Sequence, residues 1–163
     1  MRIGIATWYK ENYGSILQAY ATHILLNEMG QDPVFLQFNS AGDLISKVKS
    51  RVSTLGVRQT VKQYSAVVKG RFAVHPFQEK LALRLSAMDR FVDSNLNVTE
   101  RVYTRDDYAE CLGEADAFLC GSDQIWNPAI TCYSPFFWLS FVPSGVPKIS
   151  YAPSMGMPRL GPD

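Results

Sequence analysis

Apolar and polar positions along this chain change period several times, and each change marks an element. Arg2 to Thr7 (RIGIAT) is a short, nearly unbroken apolar run with β-branched Ile3 and Ile5, as in a parallel strand covered on both faces. Ile16, Leu17, Tyr20, Ala21, Ile24, Leu25 and Met29 then recur at helical spacing, and the run stops at Gly30, a helix-terminating residue. Val34 to Phe38 reads as a second strand, giving β-loop-α-β, for which a parallel, right-handed crossover is the default. Residues 43–70 are polar and basic with weak periodicity and read as one or two helices. Phe77, Leu81, Leu85, Met88 and Phe91 form a clearer helical stripe just after Pro76. The pattern next predicts a short extended piece from Tyr103, a helix over Arg105 to Leu112, and strands over Asp116 to Cys120 and Lys148 to Ala152. Tyr133 to Phe141 (YSPFFWLSF) is too aromatic to be left in water and is expected to pack over a loop or against another domain.

Composition fits this α/β pattern. A chain of 163 residues suits one domain and can bury a sizeable core. Its 47% apolar and 19% charged residues are ordinary for a soluble globular domain, and no apolar run approaches the roughly 18 to 20 residues of a membrane span. The N-terminus reads as a core strand rather than a leader, so a cytoplasmic location is expected. The Pro- and Gly-rich PSMGMPRLGPD after the last strand normally leads into a helix or linker; the expected organisation over 1–163 is a single, truncated N-terminal domain with a basic helical insertion at 43–95. Cys111, Cys120 and Cys132 have neither metal-ligand spacing nor an even count, and read as buried thiols. His23 and His75 lie far apart without a metal-binding context, and no metal site is expected.

Charge changes the picture locally. The formal net charge is +1, yet residues 46–90 hold ten Lys or Arg against Glu79 and Asp89, leaving the remainder acidic. Solvated helix faces explain such a block; it would also suit an anionic glycolipid or a peripheral contact with a membrane surface. Nucleic acid is not an expected partner, because no recognisable binding motif is interleaved with the basic residues.

Candidate chemistry gathers where strands end. DAFLCGSDQIWN, Asp116 to Asn127, runs from an apolar strand straight into Gly121, Ser122, Asp123 and Gln124, at the sheet edge where open α/β folds bind ligands. Asp123 is the one carboxylate after that strand; it can accept hydrogen bonds from sugar hydroxyls or take a proton as general base, or simply make an Asx turn. Trp126 offers a face for sugar stacking or a core contact, with Asn127 beside it. The loop TWYKENYGS after the first strand supplies Thr7, Lys10, Asn12, Tyr13, Gly14 and Ser15, with Gln18 one turn into the helix. Asn12 or Ser15 can cap that helix, whose positive end favours an anion or a sugar hydroxyl. Ser150, Tyr151 and Ser154 stand at a third strand end.

The segments IGIATWYKENYGSILQAYA, DAFLCGSDQIWNP, FFWLSFV and KISYAPSMG, in this order and spacing, resemble the N-terminal half of the polysaccharide pyruvyl transferase family. The likeness spans most of the chain and is weakest between residues 40 and 95; the GSDQ-W-N and SYAPS pieces are its most specific parts. The resemblance implies the N-terminal half of a glycosyltransferase-B-like, two-domain enzyme with Rossmann-like, mostly parallel sheets. It implies transfer of a pyruvyl group from phosphoenolpyruvate, as donor substrate and without a further cofactor, to two hydroxyls of a sugar or lipid-linked oligosaccharide in cell-surface polysaccharide synthesis. The donor is a small multiply charged anion that needs several basic contacts, and the family's lie largely in the C-terminal half, which is expected to be absent from these 163 residues. Lys10 is the one cation in the two ligand loops, so the loops are expected mainly to bind the acceptor, with Asp123 orienting or deprotonating its hydroxyl. Two other classes remain: a nucleotide-sugar glycosyltransferase, marked by tight nucleoside diphosphate binding, and a non-catalytic sugar- or partner-binding module.

Overall fold

The computed structural model describes residues 1–10, 12–39, 77–131 and 134–157, with Val52, Val57 and Val61 singly. Within them the chain forms β1 (Arg2–Ala6), α1 (Tyr13–Glu28), β2 (Asp32–Phe38), α2 (Gln78–Asn95), β3 (Val98–Tyr103), a 3₁₀ helix (Tyr108–Glu114), β4 (Ala117–Asp123), a one-turn helix α3 (Pro128–Thr131) and β5 (Lys148–Pro153). The strands make one five-stranded sheet in the order β3-β2-β1-β4-β5, and every pairing is parallel. This is a Rossmann-like α/β fold. Apart from Val52, Val57 and Val61, each in helical conformation, the helices expected over 43–70 lie outside the described residues, as do Cys132 and Tyr133.

Both faces of the sheet are covered, which is why its central strands read as continuous apolar runs. On one face α1 and α2 close over Ile3, Ile5, Phe35 and Leu119. On the other, Leu36, Phe118 and Cys120 meet the 3₁₀ helix and the aromatic segment, where Phe136, Phe137 and Leu139 are buried. The aromatic stretch thus packs on the sheet, and Trp138 is an exposed aromatic member of it among the described residues. Burial pushes the Cys120 thiol up to about 11 and the Cys111 thiol up to about 12, so neither offers a reactive thiolate near neutrality.

Several expectations shift. In α1 the sheet takes Ser15, Ile16, Ala19, Thr22 and Leu26, while Leu17, Ile24, Leu25 and Met29 of the apolar stripe stay exposed. The helix carries apolar residues around most of its circumference, and Ser15, Ala19 and Thr22 are small enough to let the sheet come close. Of the second stripe only Met88 is fully buried; α2 meets the core through Met88, Val92 and half-buried Phe91, whose ring sits edge-on to Tyr20 at 5.2 Å. The extended piece begins at Val98, before Tyr103, and the helix over 105–112 is a 3₁₀ helix from Tyr108. Tyr103 Oη donates to Glu114 Oε1 (2.6 Å), and Arg101 bridges Asp107 and Glu110, which ties that turn to β3.

No helix among the described residues is long and apolar enough to cross a membrane. Among them, no group of three His, Cys, Asp or Glu is placed to hold a metal ion.

His23, on α1, is half-buried beside Phe35, and its Nδ1 is buried without a hydrogen-bond partner. Burial lowers its pKa, with Asp32 opposing more weakly. Its neutral form is the one that suits the fold, so its contribution is present above the ordinary histidine value of about 6.5 and is lost as pH falls through the lowered value. Thermal melts at pH 7.5 and 5 should therefore show a smaller acid-induced drop for His23→Phe than for the parent. Equal drops in both proteins would rule out the effect.

Candidate functional site

Chain direction creates a crevice between β1 and β4. From β1 the chain moves away to β2 on one side, while β4 lies on the other, so the loops at their C-terminal ends diverge. Ala6 pairs with Cys120, which brings the residues after each strand side by side. β4 runs three residues further than its apolar pattern, to Asp123, so Gly121, Ser122 and Asp123 are held by the sheet.

A hydrogen-bonded network joins the two motifs across this crevice. Thr7 Oγ1 donates to the Ser122 carbonyl (2.9 Å), and Ser15 Oγ donates to Asp123 Oδ2 (2.6 Å). Gln18 sits at the centre. Its Nε2 donates to the carbonyls of Trp8 and Ser15 (both 2.8 Å) and contacts Thr7 Oγ1 (3.3 Å), while its Oε1 accepts from the Ser122 hydroxyl (2.6 Å) and Ser122 N–H (3.2 Å). Both polar ends of one amide are therefore used, and Gln18 fixes the spacing of the two loops. A Gln18→Leu variant should lose about 1–3 kcal/mol of stability, because buried partners are left unsatisfied. Adding Ser122→Ala should then cost less than it does alone, as for groups sharing one network. Urea unfolding of the two single variants and the double variant measures this, and strict additivity would contradict it.

Asp123 combines access with constraint. Its φ is +87°, a left-handed conformation uncommon outside glycine. Oδ1 accepts from Gln124 N–H (2.7 Å) as Oδ2 accepts from Ser15, so the carboxylate is aimed from two sides while its residue remains partly exposed. Ser15 lies in the first turn of α1, which carries no acidic residue, so the carboxylate stands at the positive end of that helix. Such a group can accept a further hydrogen bond from an incoming hydroxyl and take its proton.

Other predicted residues form a surrounding ring. Asn127 Nδ2 donates to Gln124 Oε1 (3.1 Å). Ser154 joins through its backbone, donating to the Asp123 carbonyl (2.9 Å) and accepting from Trp126 N–H (3.2 Å). Tyr151 faces Gln18 and Ser122 across a small groove of about 220 Å³ beside α1. Ser150 is exposed on β5, opposite Cys120 in register. Asn12 caps α1 by accepting from Gly14 N–H (2.9 Å), and Tyr13 is exposed next to it. Lys10 stands apart, its Nζ donating to Gln37 Oε1 (3.2 Å) on the β2 side.

Three participants were not singled out from the sequence. Trp138 stacks flat on Trp126, with ring centroids 4.6 Å apart, and keeps a partly exposed outer face; Trp126 Nε1 donates to the Phe137 carbonyl (3.0 Å). One face of Trp126, the residue expected to offer a sugar-stacking face, is thus covered by Trp138. Arg84 of α2 places its guanidinium 4.7 Å from the Tyr13 ring centre, bringing a second cation to the start of α1. Gln37 holds Lys10. The FFWLSFV segment was the one sequence signal that could have marked Trp138, whereas Arg84 and Gln37 become visible only through tertiary packing. No protein-family model, curated protein or solved structure matches this chain.

Proposed function

We propose that this chain is the acceptor-binding domain of an enzyme that transfers the pyruvyl group of phosphoenolpyruvate to two hydroxyls of a cell-surface saccharide, closing a ketal. The observation that carries this reading is the network of Ser15, Gln18, Ser122 and Asp123, because it joins NYGSILQ to GSDQ, two of the stretches on which the resemblance rests. An acid first protonates the donor's enol carbon, leaving a cationic centre beside its carboxylate. A sugar hydroxyl then attacks that centre as Asp123 takes its proton. The second hydroxyl displaces phosphate and closes the ring, so one phosphate is released for each ketal formed.

Lys10 and Arg84 are too few to hold the donor, and a second domain supplies its basic contacts in this proposal. The exposed Leu17, Leu25, Ile149 and Tyr151 on α1 and β5 suit a neighbouring domain in a glycosyltransferase-B-like arrangement. The enzyme works on a lipid-linked acceptor at the cytoplasmic face of the membrane.

The test uses the protein that carries this domain, phosphoenolpyruvate labelled at carbon 3, and lipid-linked saccharide extracted from its source cells. A labelled ketal methyl in the saccharide, with equimolar phosphate, is expected. Consumption of a nucleotide sugar with phosphoenolpyruvate left intact would replace the proposal with a glycosyltransferase.

A further inference from the structure

A second concavity lies on the β2 side of the crevice. A cleft of about 520 Å³ opens at the C-terminal ends of β1 and β2, walled by Trp8, Lys10, Gln37, Phe38, Val102 and Phe137. That volume is in the range of sites that enclose small organic ligands, about 300–1,000 Å³. Thr7 lines the cleft and also donates to the Ser122 carbonyl, so one residue of the cleft wall is hydrogen-bonded to the loop that carries Asp123.

Lys10 gives the cleft its charge. Its Nζ donates to Gln37 Oε1 and lies 5.4 Å from the centre of the Tyr9 ring; among the described residues it forms no ion pair. Gln37 cannot swing freely, because its Nε2 donates to the Thr99 carbonyl (2.6 Å) and its N–H donates to Thr99 Oγ1 (3.0 Å). A cation is therefore held by a neutral amide and a ring, with N–H donors remaining and, among the described residues, no carboxylate paired with it. Beside it is an aromatic wall. Trp8 packs on Phe137 with ring centroids 4.9 Å apart, and its buried Nε1 has no hydrogen-bond partner, so packing alone sets its position. Apolar rings next to a fixed cation and amide match a sugar ring that bears an acid.

We propose that this cleft binds a saccharide unit carrying a carboxylate, a uronic acid residue, with the carboxylate on Lys10 and the ring against Trp8. The proposal rests on the saccharide substrate of the reaction above and names the charge of the unit next to the one modified. Gln18 ties the Trp8 backbone to Ser122, which fixes the cleft's Trp8 wall relative to the Asp123 loop.

Binding can be read directly on the 163-residue chain through the indole N–H signals of Trp8, Trp126 and Trp138, with Trp8→Phe used for assignment. The probes are methyl β-D-glucuronoside and methyl β-D-glucoside. The glucuronoside should shift the Trp8 signal at millimolar concentration and bind about tenfold more tightly than the glucoside, as expected for one charge-assisted contact. Lys10→Gln should abolish that preference, and because Lys10 is exposed the remaining spectrum should be unchanged. Equal response to both glycosides, movement of Trp126 and Trp138 alone, or an unaltered preference in Lys10→Gln would each overturn the proposal. Phosphoenolpyruvate turnover is a separate readout: binding without turnover would refute the reaction and leave the cleft standing.

Discussion

Replacing Gly121 with alanine should prevent the domain from folding stably, at a cost above about 3 kcal/mol, well beyond the usual range for one substitution. Gly121 has a φ of +113°, where side-chain-bearing residues are strained. Its added Cβ would fall far inside van der Waals contact distance of the Tyr151 carbonyl oxygen and 2.9 Å from the carbonyl carbon. These are backbone atoms of β5, paired to Gly121 in register, so no side-chain rotation relieves the clash. Relief requires β4 and β5 to part. Ser150→Ala, an exposed change on the same strand, should stay within about 0.5 kcal/mol and serves as the control. Urea or thermal unfolding by circular dichroism decides the matter: a Gly121→Ala protein that melts within a few degrees of the parent would show that the strand end is far more pliable than described.

The second large effect concerns activity. On the proposed function, Asp123→Ala in the full enzyme should lower pyruvyl transfer by about 10²- to 10⁴-fold, the usual span for loss of a positioned acid or base. Stability should respond differently. Asp123 occupies a left-handed conformation, and strain of about 1 kcal/mol or more is relieved only by a residue without a Cβ. Asp123→Gly should therefore be more stable than Asp123→Ala, although both lose the Ser15 hydrogen bond and both should be impaired in the proposed transfer. The constraint would then be retained for the reaction at the expense of the fold. Undiminished transfer by Asp123→Ala would remove Asp123 from the mechanism; matching stabilities would remove the strain.

The sequence made some of this architecture readable for identifiable reasons. β1, β2 and β5 are apolar or β-branched runs bounded by polar loops, and their bounds fall close to the expected ones. β4 was recognisable only to Cys120, since Gly121-Ser122-Asp123 has the composition of a turn; pairing of Gly121 and Asp123 with β5 makes it strand. In α1 the apolar stripe pointed to Leu17, Ile24 and Leu25, but small residues decide which side of the helix lies on the sheet. Thr7, Ser15, Gln18, Ser122 and Asp123 were each visible as polar residues near strand ends. That Gln18 bridges them was not visible, because its partners lie 3 to 104 positions away and nothing in a local pattern encodes that meeting.

The position of β1 has a consequence for how the chain reaches this state. Of the five strands β1 comes first along the chain; it is flanked by β2, about one helix later, and by β4, just before which Asp116 accepts from Arg2 N–H across 114 positions. During synthesis one edge of β1 must stay unpaired until most of the domain has emerged. Contacts of such separation slow folding, and half-made parallel sheets expose apolar strands to other chains while they wait. β1 therefore sets the tempo of folding: the unit β1-α1-β2 can assemble early, but the crevice exists only after β4 docks, so the site is among the last features to form.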